Sequence, residues 1–403
     1  MNASASLPGI DGRSAPAGRW LAPGLVHTLR AGALAMDIAP AAGGRIAALA
    51  SVDADGRRTD WLAPMPAPCL RDGFDGLAWP KAGCYPLLPF SNRIRDGRFD
   101  WAGREIRLAP HPGQAHAMHG VAHAQAWQVD ALTASSAELS LRYAPVAGGW
   151  PWPFLATQRL VLTPEGLQAE MALRNEGDSA MPAGGGFHPY FARTPGMCVQ
   201  FGADTVWPVD AGEVAIGRQP VSRREDFRAA RPLPDESFSV YYSGWRQSAT
   251  VRHASGAVLT LRADDPLDHV ILHAPGGADY FCLEPVSHVA DAINLSAQGW
   301  EGTGLRVLAP GGGPASAHAV AVDGCIAFSR ARAAPRLCAP PVSCRCSAWP
   351  PSRRPGRSED VLDPDHRTQL AAARGGRSTG RRAADRQRQV AAVREVAHGG
   401  IYR

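Results

Sequence analysis

Lysine is almost missing from this chain: Lys81 is the only one among 42 basic residues. The positive charge is therefore nearly all arginine, a bias that reads as codon usage rather than chemistry. No run of about 18 or more apolar residues occurs, which excludes a hydrophobic membrane-spanning helix. The N-terminus has no basic segment leading into an apolar one, so no secretory signal is expected and a cytoplasmic location is. Neither a phosphate-cradling P-loop nor a dinucleotide fingerprint is present. Strands do not alternate with helical patterns of about 10–15 residues, which argues against Rossmann and TIM architectures. Internal repeats are not evident. Cysteine is sparse and scattered: Cys69, Cys84, Cys198 and Cys282 have no metal-type spacing and are expected to be reduced thiols.

What is present is an ordinary globular balance. The 403 residues are 45% hydrophobic and 20% charged, enough for one large core or two smaller ones. The net charge of +5 is uneven, because residues 324–403 hold 16 arginines and 6 acids. Residues 1–323 are left with 26 basic and 31 acidic groups and show no nucleic-acid footprint.

Residues 1–23 read as a loose lead-in. Over 24–320 short strands are broken by turn clusters such as Asn175-Glu-Gly-Asp and Ala274-Pro-Gly-Gly. In Leu167–Asn175, Leu167, Ala169, Met171 and Leu173 alternate with polar neighbours, the period of a half-buried strand. Leu139, Leu141 and Tyr143 do the same in Glu138–Tyr143. Further strands are expected over Leu34–Ile38, Arg45–Val52, Ala257–Arg262, Val270–His273 and Leu305–Ala309. Amphipathic helices are scarce, so the fold class is all-β, a large antiparallel β-sandwich. Residues 321–403 form a basic Arg/Ala/Pro-rich tail, read as disordered or non-native. Its Cys338, Cys344 and Cys346 lack a fourth metal ligand at a familiar spacing, and a polar helix is expected over Ala383–His398.

Four stretches could carry chemistry. Gly184-Gly-Gly-Phe-His188-Pro-Tyr-Phe191 fixes a histidine between aromatics, after glycines suited to a sharp turn or a close approach. Ser91-Asn92-Arg93-Ile94 pairs an amide with a guanidinium, a set suited to hydroxyls and a ring oxygen. His111, His116, His119 and His123 fall within thirteen residues. Pro112, Gly113 and Gly120 break any helix that would align them for metal, so no metal is expected. Glu284 follows an apolar run in Phe281-Cys-Leu-Glu284-Pro285, where burial would raise its pKa toward that of a usable base. The plainer alternative is a structural carboxylate bonded to Ser287 or His288.

Together the contexts Asn92-Arg93-Ile94, Met118-His119-Gly120, Phe187-His188-Pro189-Tyr190-Phe191 and Leu283-Glu284-Pro285 resemble the aldose 1-epimerases, the galactose-mutarotase family. Gly43-Gly44-Arg45-Ile46 and Gly304–Gly311 extend the resemblance over about residues 24–320. It implies a galactose mutarotase-like supersandwich with its site in a cleft on one concave sheet. By that similarity Glu284 is the general base that takes the anomeric hydroxyl proton, and His188 is the general acid that protonates the ring oxygen. The ring opens, the C1–C2 bond rotates, and closure gives the other anomer. His119 and Arg93 would hold the ring-oxygen side and Asn92 would add a hydrogen bond. Asp235 is the best match to the family's hydroxyl-binding acid, with a solvated loop acid as its alternative; apart from the resemblance, Trp152 is a candidate to pack on the sugar face, with a place in the core as the stronger alternative.

No cofactor is implied. The expected partner is a small-molecule sugar, not nucleic acid or membrane, with the chain a monomer or homodimer. Free glucose or galactose is the default substrate. A hexose 6-phosphate held by Arg95, Arg98 and Arg104, or a non-catalytic carbohydrate-binding protein on the same fold, is the alternative.

Overall fold

Alternation with a period of two builds most of this molecule. A computed structural model describes residues 20–22 and 24–310, and the backbone of 319–330. The sequence-expected tail helix and the Cys338–Cys346 series lie outside the described residues. Among those described, two α-helices of six residues each, Ala67–Asp72 and Ala292–Ala297, stand against two large antiparallel sheets.

The eight-stranded sheet runs in the order Gln128–Leu132, Ser136–Tyr143, Phe154–Thr163, Gly166–Asn175, Ala319–Arg330, Ala257–Ala263, Ser248–Arg252 and Cys198–Phe201. Leu139, Leu167, Met171 and Leu173 are all buried, as their alternation predicts. Ala319–Arg330 runs past residue 320, the expected end of the sandwich, and pairs with Gly166–Asn175 and Ala257–Ala263. The lead-in is also not wholly loose: Trp20–Leu21 pairs with Phe74–Asp75. Cys198 is disulfide-bonded, against the expectation of a free thiol, because spacing along a chain does not tell which thiols a sheet brings together.

The eleven-stranded sheet carries the site. Its path is His27–Ala31, Leu34–Ala39, Arg45–Val52, Cys84–Leu87, Gly186–Ala192, Tyr280–Val286, His269–Ala274, Phe238–Ser243, Thr205–Trp207 and Gln219–Pro220, with Arg58–Asp60 beside Arg45–Val52. Its central strands are buried on both faces. Phe187, Phe191, Phe281, Leu283 and Leu272 join the main core with residues of the other sheet. Each contributes about 1.5–3 kcal/mol by leaving water. The alternate residues Tyr85, Tyr190, Ile271, Cys282 and Tyr241 form a second cluster on the far face.

Register then lines up one row across that far face. Tyr85 is opposite His188, Glu284 opposite Ile271, Ile271 opposite Tyr241, and Tyr241 opposite Trp207. Gly186 against Val286 and Tyr190 against Cys282 put His188 beside Glu284. Ile46 against Cys84 puts Arg45 next to Tyr85, at the far end of the row. Two residues distant in sequence therefore become neighbours through strand pairing alone.

Candidate active site

The triple glycine works by close approach, not by a turn. A Cβ on Gly184 would sit 2.0 Å from the His288 ring, and one on Gly186 would sit 2.5 Å from the Pro285 carbonyl oxygen. This contact lets the His188 strand lie tight against the Glu284 strand. The His188 Nε2 and Glu284 Oε1 atoms are 3.6 Å apart, and both side chains are buried. The His188 ring is stacked between Tyr85 at 4.6 Å and Tyr190 at 4.7 Å. Tyr190 is itself held by the Trp79 indole N–H, which donates to its hydroxyl at 3.0 Å. The His188 Nδ1 and Glu284 Oε2 atoms have no hydrogen-bond partner among the described residues.

The structural-carboxylate alternative for Glu284 does not hold. The Ser287 hydroxyl accepts from the Gly185 N–H at 2.9 Å, and the His288 ring bonds the Ser91 N–H at 3.1 Å and the Val289 carbonyl at 2.8 Å. Burial pushes the Glu284 carboxyl up to about 8, opposed by the charge of Arg93. Burial, helped by the charges of Lys81, His273 and Arg45, holds the His188 imidazole well below its usual range. At neutral pH the pair thus carries one proton, held as a neutral acid beside a neutral ring.

A second unit approaches from the loops. Asn92 and His119 both have left-handed backbones, with φ 56° and 62°. They lock each other: the His119 N–H donates to the Asn92 carbonyl at 2.8 Å, and the Asn92 N–H donates to His119 Nδ1 at 3.2 Å. Burial and the nearby His188, His123, Arg93 and Lys81 keep this imidazole neutral. With Nδ1 accepting, the ring proton is on Nε2, which makes His119 a fixed neutral donor. Such strained backbones persist where surrounding structure over-determines them. Gly120 allows the turn, since a Cβ there would meet the Leu88 carbonyl oxygen at 2.1 Å.

Arg93 is ion-paired with Glu213 and reaches Gln114 Oε1 at 3.3 Å, Asn92 Oδ1 at 3.4 Å and the Tyr241 hydroxyl at 3.4 Å. The Tyr241 hydroxyl donates to Asn92 Oδ1 at 3.3 Å. These groups surround a cleft of about 150 Å³ with His188 and Glu284 on its floor.

The structure therefore gathers Asn92, Arg93, His119, His188 and Glu284 into one cleft. Two other expected residues lie elsewhere. Trp152 is buried against Trp150 in the main core and donates to the Ser179 hydroxyl at 3.1 Å, so its ring has no face to offer a ligand. Asp235 is exposed in a surface hollow with Arg193, Thr194 and Gly277, away from the cleft. The second acid in the cleft, besides Glu284, is Glu213, which sits in a turn whose Asp210 carboxylate accepts from the Gly212 and Val214 N–H groups. That turn is readable as an Asx motif, but its position over the cleft is not. Lys81, Trp79, Gln114, Tyr190, Tyr241 and His273 also line the cleft and escape sequence reasoning. Arg95 is paired with Asp210 and Asp291 and Arg98 with Glu105; neither they nor Arg104 lines the cleft.

Among the described residues, one trio could bring metal-ligand atoms together: His188, Cys282 and Glu284, within 4.8 Å of one another. Burial raises the Cys282 thiol well above its usual range, so the set offers a neutral thiol and a carboxyl favouring its acid form. A set that holds its protons suits proton transfer better than metal. Among the described residues, no helix is long and apolar enough to cross a membrane.

Comparison with known proteins follows the same outline. The family model described as aldose 1-epimerase matches residues 26–312. The Escherichia coli K12 protein YphB, described as uncharacterized, is 29% identical over 267 residues, which are 64% of this chain and 89% of that protein. The crystal structure of a candidate aldose 1-epimerase from E. coli K12 superposes with a TM-score of 0.64 at 26% identity, covering 76% of this chain and 99% of the other. A galactose mutarotase-like protein from Clostridium acetobutylicum has the same fold, with a TM-score of 0.64 at 17% identity over 75% of this chain and 94% of the other.

Proposed function

Since this chain belongs to the aldose 1-epimerase family, we propose that it interconverts the α and β anomers of an aldose by acid–base ring opening and closure. The observation that carries the reading is the His188–Glu284 pair, two buried titratable groups 3.6 Å apart at the cleft. Mutarotation needs one proton taken from the anomeric hydroxyl and one given to the ring oxygen. Glu284 is assigned the first transfer and His188 the second.

Burial favours the proton on the carboxyl. A sugar hydroxyl donating to Glu284 and a ring oxygen accepting from His188 favour the charge-separated arrangement that the chemistry uses. The His119 Nε2–H and the Arg93 guanidinium supply fixed donors on the oxygen side, and Glu213 and Asn92 orient Arg93. Trp79 and Tyr190 add apolar lining to the cleft. None of these steps calls on a cofactor.

The test is polarimetry on freshly dissolved α-glucose and α-galactose, with the wild type beside Glu284→Gln and His188→Asn. The wild type should speed the approach to equilibrium, and each variant should lose ~100- to 10,000-fold of that enzymatic rate while staying folded. The wild-type rate should fall above a pH of about 8, where the pair loses its single proton and His188 has none to give. An active Glu284→Gln protein sinks the assignment.

One observation favours a second reading, a phosphorylated aldose. Lys81 lies at the cleft with its ammonium 4.4 Å from the Trp79 ring centre, and among the described residues no carboxylate pairs with it. Hexose 6-phosphates are accordingly the second set of probes. Sugar binding without acceleration of either set would leave a non-catalytic binding protein.

A further inference from the structure

Arg45 is the one permanently charged cation of the cross-strand row, and the proton-transfer scheme leaves it without a task. It is fully buried, and its Nε and both terminal nitrogens lack any hydrogen-bond acceptor among the described residues. A guanidinium does not give up its charge in a protein, and a buried unpaired charge is costly. Its contacts are ring faces: the Tyr85 centre at 4.3 Å and the Phe74 centre at 5.3 Å. The groups facing it from neighbouring elements are Cys69, the uncharged Tyr85, Tyr190 and Cys84, and His123, whose imidazole burial and Arg45 push down to about 3. Burial pushes the Cys84 thiol up to about 12, so it does not serve as a counter-ion.

The placement of this charge is what gives it meaning. The ring of Tyr85 is stacked 4.6 Å from the His188 ring, while Arg45 lies 4.3 Å from that same Tyr85 ring. On its other sides His188 is faced by Glu284, by Tyr190, by the His119 ring at 5.1 Å and by Cys282. The charges of Lys81 and His273 act on it from the cleft. Of the cations acting on His188, Arg45 alone is dry and permanently charged.

We infer that Arg45 is a positioning residue for the His188–Glu284 pair, a fixed cation acting on the imidazole across the ring of Tyr85. It opposes a second proton on the pair, so that His188 receives its proton only when substrate engages Glu284. Its structural cost is accepted at a place where it serves the site, not the core. This deepens the epimerase reading and rests on it for the kinetic measurement only.

The experiment is Arg45→Met, which keeps the apolar stem and removes the charge, with Arg45→Gln beside it. Three quantities are measured: the His188 titration by NMR, the pH dependence of kcat/KM by polarimetry, and the thermal melt at neutral pH. A unit charge roughly 9 Å away in an effective dielectric of about 20 predicts that His188 titrates about one pH unit higher in the variants. The acid limb of kcat/KM should move up with it, KM should change less than twofold, and the melting temperature should not fall. A structural Arg45 would instead lower the melting temperature and leave the His188 titration in place, which overturns the inference. Failure of both variants to fold overturns it too. If the wild type shows no mutarotation, the epimerase reading falls, and the NMR titration still decides the role of Arg45.

Discussion

The two faces of the strands Gly186–Ala192 and Tyr280–Val286 are both buried, yet they do opposite things. Phe187, Phe191, Phe281 and Leu283 point into the main core and pack against the other sheet. His188, Tyr190, Cys282 and Glu284 point the other way and leave His188 Nδ1 and Glu284 Oε2 without partners. One face spends its burial on stability. The other uses burial to displace protons from where water would put them. Stability and chemistry therefore reside on alternate residues of the same backbone, and exchanging chemistries between faces is the most direct challenge to that division.

His188→Phe carries the largest expected effect. It should cost ~100- to 10,000-fold in enzymatic rate with a melting temperature equal to or above wild type, since a buried unpaired nitrogen is replaced by ring carbon. Retained activity would break the comparison. Phe281→Ala on the opposite face should cost ~3–5 kcal/mol of stability in urea unfolding and leave kcat/KM of the folded fraction within about threefold. Glu284→Gln has an effect of similar size on stability, confined to high pH. The folded-state pKa of Glu284 is raised to about 8 from 4.5, so folding takes up a proton and wild-type stability declines as pH rises between those values. The variant should equal wild type near pH 4 and exceed it at pH 9 by a few kcal/mol, at ~1.4 kcal/mol per unit. Equal melting temperatures at pH 9 would show that the carboxyl is not held in its acid form. Smallest of all, Asp235→Asn should change stability by no more than ~0.5 kcal/mol and leave the reaction within twofold, because Asp235 is exposed away from the cleft. A large loss there would return Asp235 to the site.

The same comparison explains what could be read from the sequence. Leu167–Asn175 has one wet face, so hydropathy alternates and the strand is plain to see. The site strands are buried on both faces, so their period of two is one of chemistry rather than hydropathy, and only the local contexts of His188 and Glu284 mark them. Residues embedded in such contexts, Asn92, Arg93, His119, His188 and Glu284, do converge. Glu213, Lys81 and Tyr241 were not legible, because no local pattern says which loop or neighbouring strand the sheet will bring over the cleft. Asp235 misled for the same reason: order along the chain does not fix the face from which a turn departs. For Trp152 the sequence left two places open, because a tryptophan beside prolines looks the same whether it meets a ligand or, as here, Trp150 in the core.

Lys81 has a practical consequence. The chain has a single lysine, and it lies at the cleft with its ammonium over Trp79. The α-amino group aside, an amine-directed reagent has one target on the whole polypeptide. The rate of modifying that target becomes a footprint of cleft occupancy, readable by mass as one adduct gained or protected. Candidate sugars, neutral or charged, can then be ranked by protection alone, without any turnover and before the natural substrate is in hand.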